Sequence, residues 1–305
     1  MVAFKERLKA SLKSFLNPDI IHKLHQQQIP PIPSFYVRPI VEREIKFAFD
    51  NKLLAQKNVL ITGAGQNIGK NIALEMAKQG ANIYFTDLIS ERITSLEEEL
   101  STYAVKYKGY ISDVSKMEDS EALCQDLFAQ NITIDVLVNN VGINFGTMGI
   151  DNLNLQEWQK IFNTNVFGPL YLTRLIWQRM IEEKIQGSLI FITSIHQQEI
   201  SRWPSYSASK AALAMTIQEI AVDLAPHGIR VNAIAPAAVK VDEQGNPFYI
   251  KNYLLHNSAI PPHYIGRAAV YLASDYFSKY TTGTTLTIDG GVSLYNSRVA
   301  ENPPT

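Results

Sequence analysis

Only one cysteine, Cys124, occurs in 305 residues. A lone thiol excludes an internal disulfide framework and fits a reducing compartment, so a cytoplasmic protein is expected. Cys124 falls within a helical pattern and reads as a small core residue. No stretch of eighteen apolar residues occurs, so no membrane-spanning helix is expected. The first residues lack the apolar core and small-residue cleavage site of a secretory signal, and none is expected. Excess charge of one sign is also missing. The formal net charge of −1 removes the electrostatic reason to expect a nucleic-acid partner. Internal repeats and long low-complexity segments are absent, and no metal is expected. What is present is 46% hydrophobic and 19% charged, an ordinary globular balance with enough apolar material for a large core.

The order of elements is readable from residue 58 onward. Asn58-Val59-Leu60-Ile61 reads as a short buried strand. The turn Thr62-Gly63-Ala64-Gly65-Gln66-Asn67-Ile68-Gly69 leads into a helix with apolar Ile72, Ala73, Met76 and Ala77, and Gly80 ends it. Ala81–Thr86 is a second strand, with Asp87 at its C-terminal end. Further strand-like runs are Tyr107–Ile111, Asp135–Asn139, Ser188–Thr193, Arg230–Ile234 and Thr284–Ile288. Helical runs lie near 90–101, 117–130, 155–183, 205–225 and 264–273. Strands alternating with helices of this length predict βαβ units and a parallel sheet covered on both faces. The expected fold is therefore α/β: a Rossmann-type, doubly wound sheet of about seven strands, in one domain spanning 55–293. Residues 1–54 form an N-terminal extension and 294–305 a tail.

Tyr206-Ser207-Ala208-Ser209-Lys210 carries the chemistry. Tyr and Lys four apart on a helix share one face. A Lys ammonium beside the phenol favours the phenolate, so a lowered Tyr206 pKa is expected. Such a pair can move a proton at a substrate oxygen; as an isolated pattern it also describes a solvated helix face. Ser194 lies twelve residues upstream, at the end of an apolar strand. In the first turn, Gly63 permits the sharp bend and Gly69 the close approach of helix to strand. The helix N-terminus then faces a dinucleotide pyrophosphate. Asp87, eighteen residues past Gly69, can accept bonds from both adenosine-ribose hydroxyls and repels a 2′-phosphate. Neither Leu88 nor Ile89 supplies a cation there, so NAD is expected over NADP.

These motifs, in this order, resemble the short-chain dehydrogenase/reductase family. The first turn resembles its T-G-x-x-x-G-I-G. Asp113-Val114 resembles the pair that meets the adenine, and Asn139-Asn140-Val141-Gly142 resembles N-N-A-G. Asn232-Ala233-Ile234-Ala235-Pro236-Ala237 resembles N-x-x-x-P-G, and Asp289-Gly290-Gly291 the C-terminal D-G-G. The resemblance implies a catalytic tetrad of Asn165, Ser194, Tyr206 and Lys210. It further implies that Gly63, Gln66, Asn67, Ile68, Gly69, Asp87, Asp113, Val114, Asn140, Gly142, Tyr206, Lys210, Pro236 and Val239 contact the cofactor. By the same resemblance, hydride would pass between nicotinamide and a carbon bearing oxygen, Tyr206 would exchange the proton, and Ser194 would hold the substrate oxygen. Lys210 would hold the nicotinamide ribose, and Asn165 would place a relay water. Four residues depart from the pattern. Asn67 replaces a glycine, a position Asn tolerates at positive φ. Val141 replaces a small Ala and is expected to crowd the cofactor slightly. Ala237 replaces the Gly after Pro236, and Val241 stands where the family often has a Thr.

The expected substrate is a small molecule. His196, Gln197 and Trp203, with Ser194 and Tyr206, are candidates to line its pocket; this segment loosely resembles sugar-oxidising members of the family, and a plain surface loop is the alternative. The loop 242–262 is expected to cover the site, with Phe248, Tyr249, Tyr253, Leu254 and Leu255 as an apolar inner face. The leading expectation is an NAD(H)-dependent oxidoreductase of a secondary alcohol or its ketone; a sugar or polyol is one candidate, and the apolar face of the loop suits an acyl or ring-bearing alcohol as well. Its rivals are an NADP-dependent reductase of the 3-oxoacyl thioester type and a non-catalytic dinucleotide-binding regulator. By resemblance, a homo-dimer or homo-tetramer forms through the helices near 155–183 and 205–225, where Trp158, Phe162, Phe167, Leu175 and Trp177 are available. Phe4, Leu8, Leu12, Phe15 and Leu16 mark a basic amphipathic helix. Packing on its own domain or a neighbouring subunit is the reading preferred to membrane contact through residues 1–16.

Overall fold

A computed structural model describes residues 52–295 apart from 147, 152, 243, 244, 251 and 252. The expectations for the amphipathic helix and the C-terminal tail lie outside these residues. Seven parallel strands form the sheet: β1 (Asn58–Ile61), β2 (Asn82–Asp87), β3 (Tyr107–Ile111), β4 (Val136–Asn139), β5 (Ser188–Ile192), β6 (Arg230–Pro236) and β7 (Thr285–Ile288). Their spatial order is β3-β2-β1-β4-β5-β6-β7. The order reverses between β1 and β4, which makes that junction the crevice where doubly wound sheets bind ligands.

Alternation within each strand builds two cores. Val59, Ile61, Ile83, Phe85, Val136, Val138, Ile190 and Ile192 point to one face. Leu60, Tyr84, Leu137, Leu189 and Phe191 point to the other. The first face is covered by α1 (Asn67–Lys78), α2 (Ser90–Leu100) and α7 (Pro262–Ala273). The second is covered by α3 (Met117–Ala129), α5 (Gly168–Glu182) and α6 (Pro204–Leu224). Because both faces are buried, the strands read as continuous apolar runs. Leu54 is buried in the first core, so packing begins before β1.

The predicted helix at 155–183 is interrupted. It comprises α4 (Leu155–Phe162), a π-helical turn at Asn163–Phe167, and α5. Pro169 lies in the first turn of α5. Within an uninterrupted α-helix its ring would oppose the carbonyl four residues back, and a wider π turn relieves that conflict. The hydrophobic periodicity runs through the turn unbroken, which is why the sequence pattern reads as one helix. Asn165 sits inside it. A short helix, α8 (Asp275–Ser278), precedes β7. Among the described residues no helix is long and apolar enough to cross a membrane.

Candidate active site

Every site residue taken from the motifs lies at or beyond the C-terminal edge of a strand, or on α6 and the π turn facing that edge. After β1, Asn67 adopts φ 46°, as its side chain tolerates, and α1 begins there. A Cβ at Gly69 would collide with the Gly63 carbonyl and lie 2.6 Å from Asn140 Nδ2. Only glycine lets α1 start so close to the strand. Asn140 Nδ2 donates to the Thr62 and Gly63 carbonyls at 3.0 and 2.9 Å, and Thr62 Oγ1 accepts from the Asn140 amide at 3.0 Å. The loops on either side of the switch point are thus tied together. Val141 is accommodated beside Gly63, where a Cβ would meet its Cγ2 at 2.8 Å.

At the end of β2, Asp87 is buried. Its Oδ2 accepts from the Gly65 amide at 2.9 Å and its Oδ1 from the Ile89 amide at 3.1 Å. Each oxygen retains acceptor capacity for a further donor. Arg92 Nη1 stands 3.8 Å from Oδ1. Sequence reasoning looked only at the two residues following Asp87 and missed this cation, which the first turn of α2 brings back to the strand end. After β3, Asp113 Oδ1 accepts from the Ser115 amide and hydroxyl at 3.0 and 2.7 Å, and Val114 is buried in the second core.

Helix α6 carries Tyr206 and Lys210 one turn apart, with Nζ 5.7 Å from the phenol ring centroid. Lys210 is buried, and its ammonium donates to the Ile192 carbonyl at 2.9 Å. Burial lowers its pKa from 10.5 to about 8. The expected lowering of the Tyr206 pKa does not occur. Burial raises its pKa, and the hydrogen bond with Ser194 opposes the rise only in part. Desolvation of the phenolate is the larger effect, and the Lys210 ammonium is engaged by Ile192.

Asn165, fully buried in the π turn, accepts from the Ile143 amide at 2.8 Å and donates to the Ile143 carbonyl and Ser209 Oγ, each at 3.0 Å. Ser209 Oγ donates to the Tyr206 carbonyl at 2.7 Å. Asn165 therefore braces the loop after β4 against α6. Ser209 was not singled out from the sequence, although it lies inside the Tyr206–Lys210 motif itself. Gly142 leaves space for lysine: a Cβ there would lie 3.0 Å from Lys210 Nζ.

His196 follows Ser194 on a single 3-10 turn, Ile195–Gln197. Its amide donates to Ser194 Oγ at 3.3 Å, and its Nδ1 is 2.6 Å from Ser201 Oγ. Its ring meets Tyr206 edge-on, with centroids 5.2 Å apart. Burial lowers its pKa, countered by Glu199. His196, Gln197 and Trp203 do come together, in a cavity of about 390 Å³. Its helical wall is Pro204, Ser207, Ala208 and Ala211, a different face of α6 from Tyr206 and Lys210. Ser194 and Tyr206 are not among its lining residues, and His196 is the shared wall. Gln197 Oε1 is buried there without a hydrogen-bond partner.

The loop after β6 departs from expectation. Bridges Val239↔Ile260, Val241↔Pro247 and Tyr249↔Ser258 fold it onto itself. Of the supposed apolar inner face only Tyr253 is buried; Phe248, Tyr249, Leu254 and Leu255 are exposed. Among the described residues, no group of three or more His, Cys, Asp or Glu is placed to hold a metal.

The tight turn at a helix N-terminus, the buried carboxylate after β2 and the Asn140 tie between loops fit a nicotinamide dinucleotide laid across the switch point. Fold and site together define a doubly wound, dinucleotide-dependent oxidoreductase. Comparison with known proteins narrows this class. Residues 57–248 match the family model described as short chain dehydrogenase. The chain is 32% identical over 259 residues to glucose 1-dehydrogenase 2 of Bacillus subtilis, covering 81% of this chain and 99% of that protein. It is 33% identical over 257 residues to 3beta-hydroxysteroid dehydrogenase 1 of Eggerthella lenta, covering 79% and 95%. The crystal structure of an acetoin dehydrogenase from Salmonella typhimurium is similar with a TM-score of 0.74 and 26% identity, covering 80% and 98%. The chain belongs to the short-chain dehydrogenase/reductase family. It is accordingly an oxidoreductase of alcohol and carbonyl groups that works with a nicotinamide dinucleotide.

Proposed function

We propose that the protein exchanges hydride between NAD(H) and a secondary alcohol or its ketone, with Tyr206 as general acid/base. The observation that carries this reading is the half-buried Tyr206, whose hydroxyl lies beside Ser194, one helical turn from buried Lys210. The nicotinamide supplies the hydride chemistry when bound. Ser194 orients the substrate oxygen and stabilises charge that develops there. Tyr206 gives or takes the proton at that oxygen. Lys210 supplies a desolvated positive charge beside it, and Asn165 holds the helix and loop around it. Asp87 would take the adenosine ribose, with Gly63, Gln66, Asn67, Ile68 and Gly69 around the pyrophosphate and Pro236 and Val239 at the nicotinamide end.

For the substrate, the reading is a sugar or polyol. The glucose 1-dehydrogenase relative supports this choice; the hydroxysteroid and acetoin relatives widen the screen to larger and smaller alcohols. Arg92 beside Asp87 favours a second reading, NADP as cofactor, since its guanidinium can pair with a 2′-phosphate. Titration with NADH and NADPH by nicotinamide fluorescence separates the two. Tight NADH and weak NADPH binding is expected. The reverse order would make Arg92 the dominant group, and binding of neither would sink the enzymatic reading.

Assembly into a dimer or tetramer is proposed through the outer faces of the π turn and α6, where Phe167, Met215 and Val222 are exposed. Met215→Asp is expected to shift the assembly toward monomer in light scattering. A monomeric wild type at micromolar concentration would refute this.

A further inference from the structure

The Asp289-Gly290-Gly291 turn carries none of the four tetrad residues, yet it is joined to the segment after Pro236 through Tyr253. The ladder between β6 and β7 ends with the Ala237 amide donating to the Ile288 carbonyl at 3.1 Å. Beyond Ile288 the chain turns away at Asp289, so the next amides of the β6 side need another acceptor. Tyr253 supplies it: its hydroxyl accepts from the Ala238 amide at 2.9 Å. The Ala238 carbonyl accepts from the Ile260 amide at 2.9 Å. Ala238 is therefore fixed at both polar groups, and Val239 next to it is bridged to Ile260.

Tyr253 in turn is seated on the glycine turn. It is 5% exposed, and a Cβ at Gly290 would lie 3.0 Å from its Cδ1. Gly290 has φ 60°, a region that side chains disfavour. Its carbonyl accepts from the Leu255 amide at 2.8 Å. The turn itself is held by Asp289, whose Oδ1 accepts from the Gly291 amide at 2.9 Å and whose Oδ2 accepts from the Ser293 amide at 3.0 Å.

We infer that Tyr253 is a positioning residue for the nicotinamide end of the cofactor. Its hydroxyl, clamped against the Asp289-Gly290-Gly291 turn, fixes the Ala238–Val239 backbone. The inference rests on the proposed assignment of Pro236 and Val239 to the cofactor. It also gives a reason for tolerating Val241: without a hydroxyl side chain there, the backbone of this segment is the polar surface that must be held in place.

The test uses Tyr253→Phe, which keeps the ring on Gly290 and removes only the oxygen. In the protein without cofactor, hydrogen exchange at the Ala238 amide, followed by NMR, should accelerate about tenfold, the scale of one lost hydrogen bond. NADH affinity should fall by a similar factor of about ten, and KM for NAD should rise with kcat little changed. Affinity for ADP-ribose, which lacks the nicotinamide, should hold. Gly290→Ala, which displaces the ring with its hydroxyl retained, should act in the same direction. Unchanged NADH affinity despite faster exchange would overturn the inference, as would an equal loss of ADP-ribose and NADH affinity, which marks a general structural role. If wild type binds neither NADH nor NADPH, the underlying cofactor assignment fails first, and this inference with it.

Discussion

Tyr206→Phe is expected to lower kcat by at least about 10³-fold, within the range lost when a positioned proton donor is removed. NADH affinity should stay near that of wild type. The ring volume is preserved, the packing against His196 survives, and only the hydroxyl that meets Ser194 is lost. The pH dependence gives a second readout. Burial holds the Tyr206 phenol above its ordinary pKa, so at neutral pH the group is the acid. Alcohol oxidation needs the phenolate and should rise with pH in wild type, whereas ketone reduction needs the phenol and should fall. Residual activity of the variant should lose both slopes. A variant that retains its turnover and its pH profile would remove Tyr206 from the proton-transfer step and assign the proton to another group.

Lys210→Met should make the protein more stable and inactive at once. Burial lowers the Lys210 pKa from 10.5 to about 8, and a shift of that size corresponds to roughly 3 kcal/mol of cost in holding the ammonium away from water. Methionine has a similar reach and no charge. The lost bond to the Ile192 carbonyl returns about 1 kcal/mol of that gain. The net expectation is about 2 kcal/mol, or a rise in Tm of roughly 4–8 °C for a domain near this size. The sign follows from linkage. The folded-state pKa lies below the unfolded one, so the unfolded chain binds more protons between about pH 8 and 10.5. Wild-type stability therefore rises with pH through that window, and the penalty is complete below it. The variant's advantage should be largest at pH 7 and vanish toward pH 10.5. Melting curves at both pH values test this. A destabilised variant at pH 7 would mean that Lys210 is compensated by more than the Ile192 carbonyl. Stability withheld for the sake of a charged group is a recurrent property of functional sites.

Much of this molecule is legible in its sequence because the signals are local and periodic. Apolar strands separated by helical stretches announce the sheet, and the residues after each strand announce the crevice. The family resemblance and the fold agree with those signals. What escaped the sequence depends on surroundings. The π turn at Asn163–Phe167 is hidden by an unbroken apolar pattern. The direction of the Tyr206 shift depends on burial, which spacing alone does not specify. Arg92 reaches Asp87 only because α2 folds back on β2. The apolar residues of the 242–262 loop read as an inner face, yet internal bridges turn most of them outward. His196 does meet Tyr206 edge-on, whereas the cavity that it shares with Gln197 and Trp203 is walled by another face of α6.

The tie between Asn140 and the Gly63 carbonyl joins residues 77 apart in sequence, and Lys210 reaches back to Ile192 across the end of β5. No contiguous fragment of the chain contains the site. Its parts come from the ends of six strands, and they meet only after the long-range parallel pairings have formed, the slow contacts of folding. Dinucleotide affinity is thus a gauge of completed assembly, and the cofactor, by binding only the finished sheet, draws the folding equilibrium toward it.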